Sequence, residues 1–238
     1  MKAGLPKSLA FYTCFFGGSG NWARVVPPVP STEHDCYYFT NYMPLFQQLS
    51  SAATGLGRWI PVWSERPIHN DDVLDASEVK ELRCCPDRFS ELKEYAFVCW
   101  MDSKLMITDM ERFSDLVFAV EREDTPCMAM TRHPVPHQTV WGEYELAITY
   151  QKYARQKEAY KKYIESQLAA GMDVNKALRV SCGFNVRRMG VRAYEIGECW
   201  LSHIRQCGIE DQISFQFVHQ LFEDDIVLFP YQHCWKYC

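Results

Sequence analysis

Asp102 closes a run of mostly apolar residues, Tyr95–Met101, and is followed at once by Ser103 and Lys104. A short run of this kind reads as a strand buried on both faces. An acid at the carboxyl end of such a strand lies where open α/β sheets bind their ligands. A carboxylate there can hold a divalent cation, and the cation can hold a diphosphate. An acid in the same place also caps a following turn or helix, so Asp102 taken alone leaves both readings open. Two other segments set polar groups beside apolar elements. Glu210–Asp211–Gln212 precedes an apolar stretch, where Asp211 is either a helix N-cap or an acid that accepts hydrogen bonds and protons from hydroxyl groups. His233 stands among Tyr231, Trp235 and Tyr237, as a packed ring or as a metal ligand.

Further candidates sit at the ends of other apolar runs. Arg132–His133–Pro134 follows Cys127–Thr131, and Glu143 and Glu145 come shortly after. Glu145 can act as a base, although acids in a first helical turn also complement the helix dipole. Asn185 and Arg187 follow Gly183–Phe184 and can contact sugar or phosphate, while Arg187–Arg188 also reads as solvated surface. The turn Gly17–Gly18–Ser19–Gly20–Asn21 follows an apolar run, but it lacks the spacing of a dinucleotide or P-loop motif.

The elements that must position these residues alternate along the chain. Strands are expected at Leu9–Phe16, Asp35–Asn41, Trp59–Trp63, Tyr95–Met101, Cys127–Thr131, Cys182–Val186 and Ile226–Phe229. Pro27, Pro28 and Pro30 impose an extended crossing after the first of them. Asp75–Glu94 is polar and helix-prone, and Met110–Glu123 has helical spacing. Gly142–Ala170 is expected as one long helix. Tyr144, Ala147, Ile148, Gln151 and Ala154 share its packed face, and Lys152, Arg155, Lys161 and Lys162 its solvated one. Val191–Gln206, closed by Gly208, and Ile213–Phe222 are further helices. This alternation predicts an α/β fold with a mainly parallel sheet flanked by helices, in one domain over residues 1–238.

Composition narrows the class. The 238 residues are 47% hydrophobic and 14% aromatic, as in a globular protein. A formal charge of −5 argues against a dedicated nucleic-acid binder. The 11 cysteines form no CxxC pair and no zinc-finger spacing, which suggests reduced, buried thiols in a cytosolic-type, reducing compartment. No transmembrane segment is expected. The apolar part of the N-terminus is short and reads as the first strand, not as a signal peptide. A soluble domain cut from a longer or membrane-anchored protein fits the same sequence. A hydrolase would need an activated nucleophile or a multi-ligand metal site, and neither GxSxG nor HExxH occurs.

Taken in order, YTCFFGG, DCYYFTN, WMDSK, RHP with its Glu-bearing helix, Gly-Phe-Asn-Val-Arg and EDQISFQFV span about Phe11 to His233. This series resembles the glycosyltransferase-like family of plant and bacterial proteins whose plant members are linked to the Golgi, cell-wall polysaccharide and mucilage. The resemblance implies a GT-A fold, a Rossmann-like sheet binding a nucleotide-sugar donor, here UDP-linked, with Mn²⁺ or Mg²⁺ and a glycan hydroxyl as acceptor. It implies donor contacts from Thr13, Phe15, Asp102, Ser103, Lys104, Asn185 and Arg187. Arg132 and His133 fall on the acceptor side, Asp211, Gln212 and Glu145 in catalysis, and Asp102 with His233 on the metal. Such folds end a strand in Asp-X-Asp, and here Lys104 replaces the second acid. Two outcomes stay open: Asp102 holds the metal with help from His233, or Lys104 neutralises the diphosphate directly. A non-catalytic nucleotide-sugar or carbohydrate-binding module of the same fold is the alternative function.

Overall fold

The computed structural model describes residues 5–18, 26–51, 57–133, 139–175 and 180–238. Residues 19–21 of the glycine-rich turn and Pro134 lie outside them.

The centre is a seven-stranded sheet ordered β3-β2-β1-β4-β7-β6-β8. Its strands are β1 (Leu9–Phe15), β2 (Asp35–Thr40), β3 (Ile60–Trp63), β4 (Phe97–Met101), β6 (Met128–Arg132), β7 (Val180–Arg188) and β8 (Ile226–Phe229). All pairings are parallel except those of β7, which runs against both β4 and β6. Every residue of β1 and β4 is buried, which accounts for their nearly unbroken apolar sequences. A small second sheet pairs β5 (Leu105–Ile107) with β9 (Trp235–Tyr237) and folds the end of the chain back beside Asp102.

Eight helices flank the sheet among the described residues: α1 (Met43–Ser51), α2 (Asp72–Cys84), α3 (Met110–Phe118), α4 (Val140–Ala147), α5 (Gln151–Ala154), α6 (Lys157–Ala169), α7 (Val191–Cys207) and α8 (Asp211–Leu221). Helix α2 starts on Asp71, whose carboxylate accepts from the backbone N–H groups of Val73 and Leu74. It ends before Pro86, so the polar segment expected to run on to Glu94 is a helix for only its first half. The expected single helix Gly142–Ala170 is three. At the first break the Thr149 hydroxyl donates to the Leu146 carbonyl, a side-chain bond that competes with helix continuation. The break frees α5 to point elsewhere, and Arg155 ties it to α2 by an ion pair with Asp71 at 2.6 Å.

Four clusters of buried apolar residues fill both faces of the sheet and the space between helices. All eleven cysteines are free thiols, and nine of them are buried. Burial pushes the Cys99, Cys182 and Cys207 thiols well above their ordinary range, so these are packing groups, not nucleophiles.

Candidate functional site

From β1 the chain moves outward through β2 to β3, then returns to the other side of β1 as β4. The carboxyl ends of β1 and β4 therefore flank a crevice where strand order reverses, the usual ligand position in open α/β sheets. A pocket of about 300 Å³ opens there. Cys14, Phe15 and Phe16 line it from β1, and Trp100, Asp102, Ser103 and Lys104 from β4 and the turn after it. Lys80 and Arg83 enter from α2, Lys152 and Tyr153 from α5, and Glu210, Asp211 and Gln212 from the start of α8.

Asp102 faces this crevice with its side chain 20% exposed. Its Oδ1 accepts from Arg83 Nη2 at 2.7 Å, and its Oδ2 lies 3.9 Å from Lys104 Nζ. Gly183 packs against the carboxylate so closely that a Cβ there would stand 2.9 Å from Oδ2. Arg83 also pairs with Asp211 Oδ2, which accepts from Lys80 Nζ at 2.6 Å as well. One guanidinium, stacked 5.0 Å over Trp100, thus bridges the two acids that the sequence singled out. Lys80 and Arg83 are 7% and 6% exposed, unusual for cations, and each is met by a carboxylate. Burial raises the Asp211 pKa, but Arg83 and Lys80 more than offset this and hold it below the ordinary carboxylate range.

Glu210 behaves oppositely. Burial, then the neighbouring charges of Asp211 and Glu143, push its pKa up to about 7. Its side chain caps α8 by accepting from the Gln212 N–H at 3.2 Å. The folded state therefore holds this proton at pH values where the unfolded chain has lost it. Stability on this account is greatest at low pH and falls as pH rises from about 4.5 to about 7. Glu210→Gln removes the penalty while keeping an oxygen for the cap. We expect it to raise stability by on the order of 1–2 kcal/mol above neutral pH and to change little at pH values near the ordinary glutamate pKa. Thermal melts of both proteins across that range check this, and equal differences at all pH values would contradict it.

Several expected site residues lie elsewhere. Asn185 and Arg187 do not line the pocket: the strand extends to Arg188, so both sit inside the sheet, 0% and 1% exposed. Arg187 donates to the Asn185 side chain and to the backbone carbonyls of Arg83 and Cys84, pinning the end of α2. Thr13 is likewise fully buried, one residue too early in β1 for the pocket that Phe15 reaches. Glu145 is exposed on α4 and does not line the pocket, and the buried acid of that helix is Glu143. Arg132 ends β6 and His133 follows it, both outside the pocket, with the His133 ring 6.2 Å from Tyr231. His233 is not brought to Asp102. Its ring packs on Phe229, and its Nε2 lies 3.3 Å from Asp115.

The residues present do not suit Mn²⁺ or Mg²⁺. Carried on a diphosphate, such ions still draw one or two free carboxylates from the protein. No group of three His, Cys, Asp or Glu side chains converges among the described residues. The strand-end acid is already engaged by Arg83 and approached by Lys104.

No family model matches the sequence, and no curated protein sequence matches it. Solved structures do. Core-mannan synthase A (CmsA/Ktr4) from Aspergillus fumigatus, in its Mn/GDP form, superposes with a TM-score of 0.50 at 11% identity, over 98% of this chain and 75% of that one. The fold is GT-A. Mouse xyloside xylosyltransferase 1, in its apo form, matches at a TM-score of 0.49 and 10% identity, over 92% of this chain and 84% of that one. In GT-A terms, the crevice above β1 and β4 is the edge at which this sheet presents Asp102–Ser103–Lys104. No helix among the described residues is long and apolar enough to cross a membrane.

Proposed function

We propose that this protein transfers a sugar from a nucleotide-linked donor, UDP-linked by preference, to a hydroxyl of a glycan or glycoconjugate. The observation that carries the reading is the pocket at the strand-order reversal, with Asp102, Ser103 and Lys104 at its mouth and two buried cations behind them. A solved protein of the same fold is described as a mannan synthase in an Mn/GDP form, which supports a nucleotide ligand. From the cysteine pattern of the sequence, which has no CxxC pair, we also propose a reducing compartment.

Charge dictates the chemistry. Cleaving the donor's glycosidic bond builds positive charge on the sugar and leaves a nucleoside diphosphate. Fixed cations beside the phosphates stabilise that leaving group without reorganising during the reaction. Phe15, Phe16 and Tyr153 offer aromatic faces to a base or a sugar ring. Asp211 is committed to Lys80 and Arg83, so it holds the cations in place. Glu210 forms no ion pair among the described residues and is the pocket acid able to take up an acceptor proton near neutral pH.

A thermal-shift series with UDP- and GDP-sugars tests the reading. A matching donor at a hundredfold excess over its Kd adds about 2.7 kcal/mol to stability, easily seen as a rise in Tm. A flat response to every donor would defeat the proposal. The salt-bridged state of Asp211 favours a second reading, a binding module without turnover. Donor stabilisation with no release of nucleoside diphosphate, in wild type and Glu210→Gln alike, would select it.

A further inference from the structure

The cations around this pocket fall into two pairs with different obligations. Lys80 and Arg83 are buried and balanced by Asp211 and Asp102. Lys104 and Lys152 line the same pocket with their charges largely unspent. Lys104 is 62% exposed, and its only ion pair among the described residues is the 3.9 Å contact with Asp102. Lys152 has no ion pair among the described residues, and its Nζ rests 4.6 Å over the Tyr153 ring. Burial, then repulsion from Lys80, lowers the Lys152 pKa, a repulsion that an anion in the pocket would relieve. The break between α4 and α5 is what delivers Lys152 here, and the Arg155–Asp71 pair holds α5 against α2.

Two uncommitted lysines in a crevice that also contains a buried guanidinium provide the positive charge that a diphosphate requires. The carboxylate that would otherwise recruit a metal is occupied, because Asp102 fixes Arg83 and approaches Lys104. We propose that the pocket binds the diphosphate of its nucleotide directly on Lys104 and Lys152, backed by Lys80 and Arg83, and independently of a divalent cation. This rests on the donor reading above. Asp102 is then a positioning residue for the cations, not a metal ligand.

Calorimetric titration of the full chain with UDP and with GDP, in chelator and then in Mn²⁺, tests the inference separately from turnover. At least one nucleotide is expected to bind with the same Kd, to within about twofold, in both conditions. Lys104→Ala and Lys152→Ala are each expected to weaken that binding by about tenfold, as loss of a charged hydrogen-bond donor does. Lys104 is exposed, and Lys152 is half-buried with no ion pair among the described residues, so the Tm of each variant should stay near the wild-type value, which separates lost binding from lost folding. Binding that requires Mn²⁺, or that survives both lysine substitutions, overturns the inference and leaves the donor reading standing. No binding of either nucleotide in either condition overturns both.

Discussion

Arg83→Ala is expected to cost about 3–5 kcal/mol of folding stability at neutral pH, the range for removing one partner of a buried ion pair. Arg83 is 6% exposed, and its guanidinium holds two carboxylates contributed by other parts of the chain. Without it Asp211 keeps Lys80, but Asp102 keeps only Lys104 at 3.9 Å. Arg83→Met, which replaces most of the volume, should be nearly as damaging, because the cost comes from the stranded acids more than from lost packing. Arg83→Lys restores a charge but not the fork that spans both acids, so it should recover only part of the loss. The pH dependence has a definite sign. In the folded wild type Arg83 and Lys80 overcome the burial penalty on Asp211 and depress its pKa. The stability this supplies is present above the unfolded aspartate pKa and is lost as pH falls through the lower folded value. The gap between wild type and Arg83→Ala should therefore narrow in acid. Urea unfolding at neutral and acidic pH measures it, and a gap below about 1 kcal/mol at neutral pH would show the bridge to be energetically idle.

The two acids of this bridge were legible in the sequence, and the cation between them was not. Asp102 stands out because a buried parallel strand leaves a plain signature, an apolar run ending in one polar residue. Asp211 stands out because it opens an apolar helix. Lys80 and Arg83 lie in a polar stretch that looks like any solvated helix. Their burial depends on acids at sequence separations of 131 and 128 residues. Local periodicity carries no trace of such a pairing. Arg187 misled in the opposite direction: an arginine near an expected strand end reads as a ligand contact, but two extra strand residues enclose it in the sheet. Lys152 was misplaced for a local reason. A helix drawn straight through Thr149 fixes the faces of all later residues, and the chain breaks there. The α/β alternation survived these errors because it rests on many apolar runs, whereas each site residue rests on one orientation.

The position of Arg83 depends in turn on how closely α2 approaches α7, and Gly197→Ala should expose that dependence. In the middle of a helix this change ordinarily stabilises by about 1 kcal/mol, because alanine is the better helix former. Here the sign should reverse. A Cβ on Gly197 would overlap the Cys84 carbonyl oxygen, a backbone atom that cannot swing aside. The same oxygen accepts from Arg187, whose guanidinium also takes the Arg83 carbonyl. Relieving the clash must move the end of α2 away from α7 and loosen both bonds. Overpacking of this kind costs about 1–3 kcal/mol, more when backbone must shift, so a net loss of about 3 kcal/mol is expected despite the gain in propensity. The displacement also draws Arg83 off Asp102 and Asp211. Protein that remains folded at low temperature should then bind the nucleotide proposed above more weakly, although Gly197 itself does not line the pocket. Unfolding midpoints and nucleotide titrations on the same preparation measure both effects. A variant as stable as wild type would mean that α2 has room to move, and that Arg187 does not fix the place of the bridging arginine.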